Sequence, residues 1–352
     1  MGMPGKKKMI WVLAVTLCVA AGAALFAGLR YYYDRKAPNF GAEYTLYVYP
    51  DTGAEAVLDS LTDRAEARRR GSLERCAADI GLEEGLKPGK YVVKPDYTAA
   101  YVVRMLVNGW QTPQNLTLSG TIRSKGRLAK TIGLQMMADS AEVAAALADS
   151  SFLAGYGFTP ENVFALFLPD TYELYWTASV PDIFDRFKKE YDRFWTQERV
   201  ALAAAQDLTP LEVSVMASIV SGETLQCREY PVIAGVYLNR LHSGMKLQAD
   251  PTVCFCFDYT LDRVLKKHLT VDSPYNTYKY RGLPPAPINI PPKACIDAVL
   301  HPDEHGYLYF CASPEFDGTH RFAVTYREHL RNAREFQRAL TARQKARQAS
   351  GQ

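Results

Sequence analysis

The chain of 352 residues is longer than one average domain and has room for two compact units plus an appendage. Apolar residues at 48% and charged residues at 22% exclude a disordered or collagen-like chain. A net charge of +3 is too small to argue for nucleic acid as a partner, since such a surface needs clustered Lys and Arg that neutralise several phosphates.

Met9 to Leu29 holds no charged residue over 21 positions. At about 1.5 Å per residue that is roughly 30 Å of helix, enough to cross the hydrocarbon core of a bilayer. Lys6, Lys7 and Lys8 precede the run and Tyr31, Tyr32 and Tyr33 follow it. Positive charge on the inner side and aromatic side chains at the outer interface agree on one orientation. Residues 1–8 are then a cytoplasmic tail, 9–29 a transmembrane anchor, and everything after Arg30 lies outside. A cleaved signal peptide, with small residues from Ala20 to Ala24, would export the same portion, but the apolar run exceeds the roughly 7 to 15 residues of such a signal's core. The expected location is therefore the inner membrane, single-pass, with the working part periplasmic. Cys18 falls in the span and leaves six of seven cysteines outside, an even number that an oxidising compartment lets pair in ways the sequence does not assign.

Residues 30–42, polar and containing Pro38 and Gly41, read as a linker. Tyr44, Leu46 and Val48 alternate with Thr45 and Tyr47, which predicts a strand. Helices follow near Ala54 to Leu61 and Gly71 to Gly81, then a turn and strand in LKPGKYVVKP, then a helix from Ala99 to Asn108 closed by Gly109. This strand, helix, helix, strand, helix order over 43–112 predicts a small α+β module that resembles a LysM-like sugar-binding domain. From Gln114 to Ser150 a second strand-then-helix stretch leads, through Lys125 to Gly133 and Ala141 to Ala148, into a larger mixed α/β domain covering 113–343. There Ile183, Phe184 and Phe187 recur at helical spacing between Val180 and Phe194, as core residues do. Residues 344–352 read as a tail after the last helix ends. The expected fold class is thus α+β, with an N-terminal transmembrane helix, a small LysM-like α+β module and a larger mixed α/β domain.

In LTPLE, Thr209 caps a helix, Pro210 suits its first position and Glu212 completes a capping box. With the phase fixed, Val215, Met216, Ile219 and Val220 form an apolar stripe, and Glu223 falls four residues after Ile219 on that face. Desolvation disfavours the ionised carboxylate, so an acid in this position can stay protonated near neutral pH and act as a general acid. Glu212 lies eleven residues earlier, roughly 16 Å along the helix, too far to assist. The next helix, Pro231 to Leu241, is followed by LQADPTV, SPYNTY and RGLPPAPI, whose polar, aromatic and proline-rich character suits ordered loops along a groove.

Other chemistries fare worse. Cys254 and Cys256 are two apart, which would place them on one face of a strand and matches no zinc or redox spacing. His301 and His305 in HPDEH lack the H-E-x-x-H order, and Pro302 disfavours a helix through the pair. No G-x-S-x-G nucleophile elbow is present. Neither a metal nor a cofactor is expected.

The run MASIVSGETLQCREYPVIAGVYLNRLHSGMKLQADPTV, from Met216 to Val253, resembles the signature of the MltG (YceG-like) endolytic murein transglycosylases. FLPDTYELY, SPYNTYKYRGLPPAPI, YLYFCA and His320-Arg321-Phe322 resemble other blocks of that family. The resemblance implies that Glu223, in the E-T pair, is the catalytic acid/base. Family members often carry a glutamate two residues earlier, where this chain has Ser221. It also implies cleavage between N-acetylmuramic acid and N-acetylglucosamine in peptidoglycan strands, leaving 1,6-anhydro ends without consuming water. Work on nascent strands, alongside peptidoglycan synthases, is implied in the same way. Glu229, Asp250, Thr252, Tyr275, Asn276 and Thr277 are candidates for binding the strand, with loop building as the alternative role of each. A non-catalytic peptidoglycan-binding scaffold is the competing reading; a half-buried acid ending an apolar stripe speaks against it.

Overall fold

A computed structural model of the chain describes residues 4–349. It divides into two compact units: residues up to Asn115 with 135–137 and 173–178, and residues 116–134, 138–172 and all from Ser179 onward. Helices and short strands mix in both, as the α+β expectation requires.

In the first unit, α1 (Pro4–Arg35) is long and apolar enough to cross a membrane, and Trp11, Leu17, Leu25 and Phe26 all face outward. Such a helix is not a core helix, whose apolar side chains would be covered by the rest of the fold. The stretch expected as a linker differs from that reading. Helix α1 continues to Arg35, and Asp34, Ala37, Asn39 and Phe40 are all buried. Two local pairings explain this: Asp34 takes a two-pronged hydrogen bond from Arg75, and the Asn39 N–H donates to the Tyr97 carbonyl at 2.9 Å.

Strands β1 (Tyr44–Val48) and β2 (Gly89–Val93) pair antiparallel, with Leu46 opposite Tyr91 and Val48 opposite Gly89. Leu46, Val48, Tyr91 and Val93 share one buried face. Against it pack α2 (Ala54–Asp63), α3 (Arg70–Ile80), the single turn α4 (Leu82–Gly85) and α5 (Ala99–Asn108). Helix α5 begins where Thr98 accepts a hydrogen bond from the Tyr101 N–H. It ends at Gly109, whose φ of 69° is a left-handed cap that favours glycine.

The chain passes from one unit to the other within β3 (Gln114–Thr117) and β4 (Thr171–Leu174), which pair with each other. Helices α6 (Lys125–Gly133), α7 (Ser140–Ala146) and α8 (Ser150–Ala154) lie between them in sequence. Next comes α9 (Val180–Phe194), opened by a Ser179–Asp182 capping box and burying Ile183, Phe184 and Phe187. Helix α10 (Gln197–Ala205) leads into the centre of the second unit, α11 (Pro210–Glu223). Thr209 and Glu212 cap α11 reciprocally, as their spacing predicts.

Every residue from Val213 to Val220 is buried, so α11 is wrapped on all sides rather than along one stripe. Its two interior serines hydrogen-bond within the helix, Ser214 to the Pro210 carbonyl at 3.0 Å and Ser218 to the Val215 carbonyl at 2.7 Å. Around it lie α12 (Tyr230–His242), α13 (Asp250–Cys256) and α14 (Lys293–Leu300). The hairpin β5 (Tyr309–Ala312) and β6 (His320–Ala323) closes the unit with α15 (Tyr326–Ala349).

Two readings are corrected here. Cys254 and Cys256 sit on helix α13, not on a strand, because Pro251 fits the first turn of a helix and the segment folds as one. Helix α15 runs through 344 to Ala349 where a tail was expected; 350–352 lie outside the described residues, as do 1–3 of the expected cytoplasmic tail.

Candidate active site

Glu223 is the last residue of α11; at Thr224 the backbone turns extended. Its side chain is half-buried, and Oε1 accepts a 2.5 Å hydrogen bond from the Tyr237 hydroxyl on α12. Loss of solvent pushes the Glu223 carboxyl up to about 7; the Tyr237 hydroxyl and the Arg240 charge pull the other way, and the nearby Asp250 adds to the rise. Desolvation wins, so the acid is poised between its two protonation states near neutral pH.

Two cavities meet this carboxyl. A smaller one, about 220 Å³, is lined by Glu223 with Gly222, Asp250, Cys254, Tyr259, Asn289 and Arg123. A larger one, about 530 Å³, is lined by Glu223 with Thr224 to Gln226, residues of the β5–β6 hairpin, and Phe336 and Arg343 of α15. The close approach of α11 to α13 depends on Gly222, where a Cβ would stand 2.7 Å from Pro251 Cβ.

The six residues expected to bind substrate divide by position. Asp250 is exposed, faces the smaller cavity and accepts a 2.6 Å hydrogen bond from the Tyr278 hydroxyl. Tyr275 is half-buried, its ring 4.5 Å from that of Phe255. The other four are buried and hold the scaffold. Thr252 and Thr277 join hydroxyl to hydroxyl at 2.9 Å, and Thr277 also accepts from the Ala249 N–H. Asn276 donates to the Leu269 and Val271 carbonyls and accepts from the Tyr278 N–H, which sets the turn that presents Tyr278 to Asp250. Glu229 accepts from the His320 N–H and pairs with His320 Nδ1, both at 2.8 Å, tying the loop after α11 to strand β6.

Tyr237, Tyr278, Asn289 and Arg123 complete the surroundings of Glu223, and sequence reasoning did not single them out. Asn289 donates to the Ser218 carbonyl and accepts from Ser221 Oγ at 3.0 Å, so the residue standing where a second glutamate is common is engaged in a neutral hydrogen bond. Arg123 lies over the Tyr259 ring, 4.8 Å from its centre. Tyr278, two residues after Asn276 in SPYNTY, had a local signal, whereas Tyr237 and Asn289 reach the site only through long-range packing. His305 of the HPDEH segment is engaged with backbone, its Nε2 2.9 Å from the Val232 carbonyl and its Nδ1 3.1 Å from the Tyr307 N–H.

Comparison with known proteins follows the same outline. The sequence profile of the YceG-like family matches residues 46–335. The endolytic murein transglycosylase of Bacillus subtilis (strain 168) is 45% identical over 114 residues, which is 32% of this chain and 31% of that protein. The protein of the same name from Streptococcus pneumoniae (strain D39) is 27% identical over 172 residues, 47% of this chain and 31% of that protein. This chain thus matches less than a third of the length of either relative. A crystal structure of a YceG-like protein from Listeria monocytogenes aligns with a TM-score of 0.54 at 26% identity, covering 82% of this chain and 98% of that one. With the profile matching residues 46–335, most of the chain and the acid-bearing helix α11 included, the chain belongs to the YceG-like family.

Proposed function

We propose that this protein is a membrane-anchored murein lytic transglycosylase in which Glu223 is both acid and base. The observation that carries the reading is the Glu223 carboxyl, pushed up to about 7 and lining two cavities, which we assign to the sugars flanking the scissile bond. Protonated Glu223 gives its proton to the glycosidic oxygen between muramyl and glucosaminyl residues. As the bond breaks, the muramyl acetamido oxygen relieves the positive charge at C1. The glutamate, now ionised, takes the proton of the muramyl 6-hydroxyl, whose oxygen closes on C1 as a 1,6-anhydro ring. Proton and charge balance with no water consumed, and Glu223 ends as it began. The Tyr237 hydroxyl supports the ionised stage, and the apolar surroundings support the neutral one.

Helix α1 supplies the anchor, with residues 1–8 cytoplasmic and everything after Arg30 outside. The module over 43–112 is read as a LysM-like grip on glycan. Asp250 gives one specific reason for a second reading. A carboxylate facing the same cavity as the acid could activate water, making the enzyme a hydrolase.

One measurement separates these readings: mass spectrometry of the products that the detergent-solubilised full chain releases from peptidoglycan. Anhydro-muramyl ends support the transglycosylase, reducing muramyl ends the hydrolase, and no products the scaffold. Glu223→Gln, a neutral isostere, should abolish product formation and leave the fold intact; full activity in that variant would remove Glu223 from the chemistry.

A further inference from the structure

The larger cavity beside Glu223 holds a cation that the bond-breaking step does not use. Arg343, on α15, lines it together with Phe316 and Phe336. The guanidinium lies over the Phe316 ring, 4.6 Å from its centre, and the Phe336 ring packs against Phe316 at 5.8 Å. Phe316 has a φ of 56°, a left-handed backbone uncommon for a bulky side chain, and its N–H donates to the Ser313 carbonyl at 3.3 Å. Neighbouring Arg321 is paired with Glu315 and Glu335. Among the described residues no carboxylate forms an ion pair with Arg343. Arg343 also lies beyond residues 46–335, the stretch matched by the family profile.

The sugars of a peptidoglycan strand offer such a cation nothing to pair with. Their hydroxyls and acetamido groups are neutral, and the muramyl lactyl carboxyl is consumed in the amide that carries the peptide stem. Negative charge resides in the free carboxylates of the stem itself. A planar guanidinium held on an aromatic face can donate two parallel hydrogen bonds to a carboxylate.

We propose that Arg343, propped on Phe316, binds a free carboxylate of the peptide stem on a muramyl residue next to the cleaved bond, and so selects stem-bearing strands over bare glycan. The inference rests on the reading of Glu223 as a transglycosylase acid.

The test measures binding first, with the full chain carrying Glu223→Gln so that substrate survives. The probes are short glycan oligomers with intact stems and the same oligomers stripped by an amidase, the lactyl carboxyl that stripping frees being capped as its methyl amide. Stem-bearing oligomers should bind about tenfold more tightly, the scale of one charge-assisted contact. Adding Arg343→Gln should reduce that preference to less than about twofold, whereas Arg338→Gln on the same helix should retain it. Equal affinity for the two probes, binding of neither, or a preference that survives Arg343→Gln overturns the proposal. Product analysis with unsubstituted Glu223 keeps the two readings apart. Stem preference without anhydro ends would leave the subsite standing and remove the transglycosylase; anhydro ends without stem preference would do the reverse.

Discussion

At the scale of single residues, Glu223 owes its raised carboxyl first to burial, and it sits where α11 stops. Free carbonyl groups gather at a helix C-terminus and disfavour a negative charge, while the free N–H groups at a helix start favour one. Glu223 ends α11 and Asp250 opens α13, so the two carboxyl groups facing the smaller cavity occupy opposite helix poles. Tyr237 works against the first of these effects by donating to the carboxylate. Because the acid must begin protonated, activity should fall as pH rises through about 7. Removing a donor to the ionised form raises a carboxyl further, so Tyr237→Phe should move the falling limb of the kcat/KM profile upward by about one pH unit. An unmoved limb in the paired profiles would show that the hydroxyl does not tune the acid. The buried candidates teach a different lesson. Thr252, Asn276 and Thr277, read from sequence as groove residues or loop builders, are buried and brace the loop that carries Tyr278.

At the scale of elements, the site depends on how closely α11 and α13 approach. A methyl group at Gly222 would meet the Pro251 ring at 2.7 and 2.8 Å, and a ring cannot swing aside as a flexible side chain would. Gly222→Ala should therefore force the two helices apart, destabilise by about 1–3 kcal/mol and cost at least about tenfold in activity. Thermal denaturation read beside product formation checks both; an unchanged midpoint and rate would mean the helices tolerate the extra carbon. Elements whose ends are written locally were readable from sequence: Thr209 with Glu212, and Gly109 at its left-handed cap. Helix α13 was not, because a seven-residue helix shows too little periodicity, and Pro251 was read as loop punctuation rather than as a first-turn residue. The missing site partners share one cause. Tyr237 and Asn289 meet Glu223 and Ser221 across 14 and 68 residues of sequence, distances over which no spacing rule operates.

At the scale of the molecule, the first compact unit opens with an outward-facing apolar helix, and the family profile begins only after that helix. The full chain should accordingly fractionate with membranes and resist alkaline carbonate extraction, and protease added outside spheroplasts should digest everything beyond α1. Recovery in the soluble fraction would contradict the anchor. The meeting of two cavities at one carboxyl carries a further consequence for the polymer. If the proposed substrate threads both, scission is expected mid-chain as readily as near a tip. Solutions of long glycan should lose viscosity early in digestion, well before small fragments accumulate.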